Sequence, residues 1–302
     1  MKRFVYLAAS LAAGIGFAGF SLAQGAATSA APTPAAPAPA RGPFGGGMGG
    51  GGRVLQPSIQ GGDNSRIAHE QHLAKAKLGK IDIYFEGDSI ARRWGAADAS
   101  YAKYLANWKE NFFGWNAADF GWGADRIENI LWRLQNGEID NVNPKIVVFL
   151  GGTNNLNPSG GDANAQEISN GIKACVDVIQ KKAPDAVIIL TGVFPRTPAN
   201  DIPIINKIND NLSKMADGKK IRYININDKI MGKDGKIIPG MLNTDNLHPD
   251  TKGYQAWADA LKPIFTEILG PPAKEDHAPP ASGDPKTVPV YPPPAATVPA
   301  AK

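Results

Sequence analysis

Residues 145–155 read Lys145-Ile146-Val147-Val148-Phe149-Leu150-Gly151-Gly152-Thr153-Asn154-Asn155. An unbroken apolar run that stops at two glycines predicts a strand buried on both faces and ended by a turn. Such a strand needs a helical layer on each side. Upstream, Ile127, Ile130, Leu131 and Leu134 recur at helical spacing. Downstream, a helix over 164–182 puts Ile168, Ile172, Cys175, Val176 and Ile179 on one face. The pattern extends in both directions. Strands are expected at Ile81–Phe85, Ala117–Phe120, Ala186–Phe194 and Ile221–Ile226. Helices are expected over 65–78, 201–216 and 251–269, the last kinked at Pro263. Strands alternating with helices predict an α/β domain: a five-stranded parallel sheet in a three-layer α/β/α sandwich.

The ends differ in kind. Lys2 and Arg3 precede an uncharged apolar stretch from Phe4 to Phe20, and Ser21-Leu22-Ala23 offers small residues for cleavage. Residues 1–23 therefore read as a secretory signal, with a retained membrane anchor as the alternative. Its removal predicts a periplasmic or secreted protein with no stable membrane insertion. Residues 24–59 are Ala/Pro/Gly-rich and read as a tether, and 271–302 as a Pro-rich, solvated arm. The folded part is then 60–270. A net charge of +4 in 302 residues gives no ground for nucleic acid as a partner. The single cysteine, Cys175, excludes an internal disulfide and a cysteine-based metal site, and its helix face places it in the core.

In open parallel sheets ligands bind beyond the carboxyl ends of the strands, so those ends carry the functional information. They read Gly87-Asp88-Ser89, Gly121-Trp122-Gly123-Ala124-Asp125 and Gly151-Gly152-Thr153-Asn154-Asn155, and Asp245-Asn246-Leu247-His248 precedes the last helix. A serine hydroxyl needs a base to become a nucleophile. Of the four histidines, His69 and His72 read as a solvated helix face and His277 falls in the tail, which leaves His248. Asp245, three residues earlier, can reach back to its imidazole. The Ser89 N–H, a backbone N–H of the 121–125 turn and the Asn154 amide can converge on an oxyanion. The plainer alternatives are a turn serine, a loop ion pair and ordinary caps. Asp88 and Asn155 read as structural residues of this kind. Gly121-x-Gly123-x-x-Arg126 lacks the third glycine of a dinucleotide fingerprint.

Together these four blocks, in this order, resemble the SGNH (GDSL-type) hydrolase family. Phe120–Asp125, Asn129–Leu134, Pro144–Val148, Gly192–Arg196 and Leu247–Tyr254 are similar to its branch of platelet-activating-factor acetylhydrolase catalytic subunits and their bacterial relatives. The resemblance implies the flavodoxin-like arrangement of the fold and a serine esterase, with Ser89 as nucleophile, His248 as base and Asp245 as its orienting acid. It implies an oxyanion hole of Ser89, Ala124 and Asn154, and neither a metal nor an organic cofactor. Ala124 stands where the family usually has glycine. The expected substrate is a small-molecule or polysaccharide ester with a short acyl group, acetyl first. A lipase or phospholipase-type enzyme, or an inactive binding module, are the alternatives.

Overall fold

The computed structural model describes residues 56–286. The expected leader 1–23 and the tail beyond 286 lie outside the described residues. The apolar runs become strands β1 (Ile83–Gly87), β2 (Ala117–Asp119), β3 (Ile146–Leu150), β4 (Val187–Thr191) and β5 (Ile221–Ile224). All pair in parallel in the order β2-β1-β3-β4-β5. Chain direction across the sheet reverses at β1, so the crevice opens beyond β1 and β3, where Ser89 and Asn154 stand.

Alternation along the strands divides the core in two. Tyr84, Val147, Phe149, Ile188 and Leu190 face α4 (Ile127–Gln135), α5 (Gly161–Lys182) and α6 (Ile202–Ser213). Ile83, Phe85, Ile146, Val148, Leu150 and Ile189 face α2 (Ser89–Gly95), α3 (Ala102–Phe112) and α8 (Thr251–Leu269). Phe85 is the hub of the second face, with Trp94, Trp108, Phe112, Trp257 and Phe265 around its ring. Helix α7 (Asn227–Ile230) is one turn long, and α8 runs unbroken through Pro263. Cys175 is fully buried, as expected.

Two expectations are corrected. Helix α1 (Asp63–Lys75) does not present its histidines to water: His69 and His72 are both buried, against Glu138. A mostly polar helix can pack inward because that carboxylate gives its polar groups partners. The second concerns the tail. Residues 271–286 do not leave the domain as a solvated arm. The Ala273 N–H donates to Gly114 O (2.9 Å), the His277 and Ser282 carbonyls accept from Lys80 N–H (2.8 Å) and Ala97 N–H (2.7 Å), and Pro279 is buried. Proline cannot donate, but its neighbours supply unpaired backbone groups to loop backbones that need partners. Helices α2 and α3, for which the sequence reading had no element, fill the long crossover from β1 to β2.

The ordered tail also covers a buried cation. Lys75 Nζ donates to Asp119 O (2.5 Å) and to Ser282 Oγ (3.2 Å), and burial pushes its pKa down to about 8. Deleting residues 271–302 removes the Ser282 partner and these backbone bonds. At about 2–4 °C per kcal/mol and roughly 1 kcal/mol per hydrogen bond, the melting temperature is expected to fall by about 5 °C or more. An unchanged melting curve would show that this segment stabilises nothing.

Candidate active site

Ser89 opens α2 directly beyond β1. Two glycines make this junction possible. A Cβ on Gly87 would lie 2.3 Å from Leu150 O, and one on Gly121 would lie 2.7 Å from both Ala91 Cβ and Arg92 N. Asp88 caps the helix, its Oδ1 accepting from the Ile90 N–H (2.9 Å). Its Oδ2 is buried without a partner among the described residues, and burial raises the carboxyl pKa to about 7. Asp88 is thus a structural cap, as the sequence indicated.

His248 arrives from the loop before α8. The Tyr254 hydroxyl donates to Ile90 O (2.8 Å), and Trp94 stacks on both Tyr254 and Trp257. These contacts clamp the start of α8 on the start of α2, and they bring together residues 159 positions apart. His248 Nε2 lies 2.8 Å from Ser89 Oγ, and its Nδ1 lies 2.7 Å from Asp245 Oδ2. An ionised carboxylate only accepts, so Nδ1–H donates to Asp245 and Nε2 is free to accept the Ser89 hydroxyl proton. Asp245 Oδ1 accepts from the Leu247 N–H (3.0 Å) and the His248 N–H (2.9 Å). Burial raises the Asp245 pKa, but these two backbone donors and the imidazole outweigh it and hold the carboxyl below its usual range. Burial, helped by the charge of Arg93, lowers the His248 pKa against the pull of Asp245.

Arg93 is the residue the sequence reading missed. Its Nη1 donates to Asp245 Oδ2 (3.1 Å), sharing that oxygen with His248. The available signal was its place one turn after Ser89 on the same short helix.

The 121–125 turn borders the serine. Its Trp122 N–H donates to Gly87 O (3.1 Å) and its Gly121 N–H to Asp119 Oδ1 (3.0 Å). The Trp122 ring lies under the Arg92 guanidinium, 4.6 Å away. Ala124 adopts φ +61°, a left-handed conformation that costs a non-glycine residue about 1–2 kcal/mol. Asn154 Nδ2 donates to Asp125 O (2.8 Å), which joins the turn to the end of β3 and leaves the other amide hydrogen available. Asn155 does cap a helix, its Oδ1 accepting from the Ile127 N–H at the start of α4 (2.8 Å). Hydrogen bonds therefore join Ser89, His248 and Asp245, and Asn154 is tied to the turn that carries Ala124.

Under the turn runs a buried ionic chain. Arg133 Nε donates to Asp125 Oδ2 (2.5 Å), Nη1 to Glu138 Oε1 (3.2 Å) and Nη2 to Ser65 Oγ (2.9 Å). Glu138 also takes His69 Nδ1 (2.7 Å) and His72 Nδ1 (3.1 Å). Burial opposes its charge, but His72, His69 and Arg133 prevail and keep its pKa well below the ordinary value. An apolar cavity of about 570 Å³, lined by Leu105, Trp108, Phe112 and Phe113 among others, lies along α3 and does not include Ser89.

Comparison with known proteins bears on the family and the fold. Residues 85–256 match the GDSL-like Lipase/Acylhydrolase family. Platelet-activating factor acetylhydrolase IB subunit alpha2 of Homo sapiens is 35% identical over 217 residues, covering 70% of this chain and 87% of that protein. The Rattus norvegicus protein of the same name is 30% identical over the same shares. In fold, the chain is similar to a GDSL-like lipase from Bacteroides thetaiotaomicron, with TM-score 0.52, 21% identity, and coverage of 67% of this chain and all of that one.

Replacing Glu138 with Gln leaves Arg133 short of a counter-charge in a buried site. The variant is expected to lose about 3 kcal/mol of stability, read as an earlier urea midpoint at unchanged slope. A midpoint equal to wild type would mean that Asp125 alone neutralises Arg133.

Proposed function

The chain belongs to the GDSL-like lipase/acylhydrolase family and is an ester hydrolase, and on that premise we propose that it is an exported serine esterase that removes short acyl groups, acetyl first. The observation that carries this reading is the unbroken line from Ser89 Oγ through the His248 ring to the Asp245 carboxylate, at 2.8 and 2.7 Å. Ser89 Oγ attacks the ester carbonyl carbon as His248 Nε2 takes its proton. The oxyanion is held by the backbone N–H groups of Ser89 and Ala124 and by the Asn154 amide. On collapse, the imidazolium protonates the leaving alkoxide, and the acyl group remains on Ser89. Water then attacks by the same route, His248 again taking the proton and returning it to Ser89. Asp245 stays ionised throughout and stabilises the imidazolium.

Acetyl preference is supported by the acetylhydrolase names of the curated relatives. Export is supported by Lys2, Arg3, the apolar stretch and Ser21-Leu22-Ala23. An exported esterase meets acetylated polysaccharide and other small esters outside the cytoplasm, and these form the substrate class.

Ser89→Ala is expected to cut hydrolysis of p-nitrophenyl acetate by about 10⁴-fold or more. Equal activity in variant and wild type would end the proposal. Along a p-nitrophenyl ester series, turnover should fall as the acyl chain lengthens, and faster cleavage of long chains would instead make the enzyme a lipase. His248 must be neutral to act, so kcat/KM should drop as pH falls through its pKa. Because burial and Arg93 lower that pKa, the acid limb is expected below the ordinary histidine value of about 6.5. An inflection well above that value would contradict this environment for His248.

A further inference from the structure

Gln60 lies before the residues matched by the family, directly after the stretch 24–59 that reads from sequence as tether. The structure places it on the active-site turn. Its Nε2 donates to Gly123 O (3.1 Å) and to Asp125 Oδ1 (2.8 Å), the two residues that flank Ala124. Both partners are acceptors, so the nitrogen and not the oxygen of the amide must point there. The approach is built, because the Ser58 N–H donates to Glu128 O (3.2 Å) and Asn129 Nδ2 donates to Ser58 O (2.8 Å). The strand of chain leading to Gln60 is therefore pinned to the first turn of α4. Asp125 is held on its other oxygen by the buried Arg133.

What this bracket encloses is a strained residue. Ala124 sits at φ +61°, which glycine occupies freely and alanine does not. Left alone, an alanine here relaxes toward negative φ and swings its own N–H away. We infer that Gln60 is a positioning residue for the oxyanion site: its amide, bonded on both sides of Ala124, holds that residue in the left-handed conformation that aims its N–H at the reacting carbonyl. This inference rests on the esterase reading and on the role proposed for the Ala124 N–H. The hydrogen bonds already present in the resting protein make this preorganisation, with no movement required at the moment of reaction.

The coupling is measured in a double-mutant cycle on the full chain with p-nitrophenyl acetate. Gln60→Ala is expected to lower kcat about tenfold, with KM within about twofold, because unsupported alanine rarely visits the left-handed region. In an Ala124→Gly background the same Gln60→Ala change should cost only about twofold, because glycine visits that region without support. The cycle compares these two ratios, so it does not depend on how active the Ala124→Gly protein itself is. Gln60→Glu, which keeps the length but loses both donors, should follow Gln60→Ala. Melting curves and active-serine titration confirm that each variant is folded. An equal loss in both backgrounds, or no loss in kcat, overturns the inference. So does a loss that appears in KM alone or in the fraction of active enzyme. If Ser89→Ala keeps full activity, the esterase reading itself has failed. If Ser89→Ala is inert and the cycle shows no coupling, only the role of Gln60 has.

Discussion

The Arg133 guanidinium is only 1% exposed, and a charge so placed must be neutralised where it stands. Much of the architecture around the serine follows from that requirement. Asp125 and Glu138 supply the counter-charge, Ser65 takes a further N–H, and Glu138 in turn satisfies His69 and His72. This buried ionic network thus ties α1, α4 and the turn after β2 into a single rigid support. A buried pair of this kind is weak evidence for stability in itself. Its value here is positional, because Asp125 is the residue on which the Ala124 turn ends.

The other wall of the site is held by packing instead of charge. Phe85 gathers Trp94, Trp108, Phe112, Trp257 and Phe265 on one face of the sheet, and these rings lock α2 and α8 against β1. Ser89 heads α2 and His248 precedes α8, so their separation is set by this aromatic layer. The Tyr254 hydroxyl on Ile90 O fixes the last degree of freedom. Catalytic groups on loops gain their precision from such rigid elements beneath them. Arg93 belongs to the same helix as Ser89, and it adds a cation beside Asp245 without displacing His248 from it.

Some of the sequence reading failed for one reason. The tail at 271–286 and the polar helix α1 lack the apolar periodicity that marks buried elements, yet both pack on the domain. Their anchors are hydrogen bonds to backbone and to buried carboxylates, which composition does not encode. Helices α2 and α3 went unread because their aromatic residues serve a ring cluster completed by Phe85 of β1 and by Trp257 and Phe265 of α8, the last two more than a hundred residues further on. The element bounds shifted by a few residues for a more ordinary reason, since chain ends of helices and strands depend on local caps.

The sequence alone determined the class of fold, since continuous apolar runs alternating with periodic ones admit little besides a parallel sheet between helices. It also marked the strand-end residues, because a serine, a histidine and an aspartate at those points have few structural reasons to occur together. Only the tertiary structure decided that Asp245 is shared with Arg93, that Glu138 faces two histidines, and that Gln60 straddles Ala124. These are hydrogen bonds between groups 63 to 152 positions apart. A pairing over that distance is set by how layers stack, and no local pattern of residues carries it.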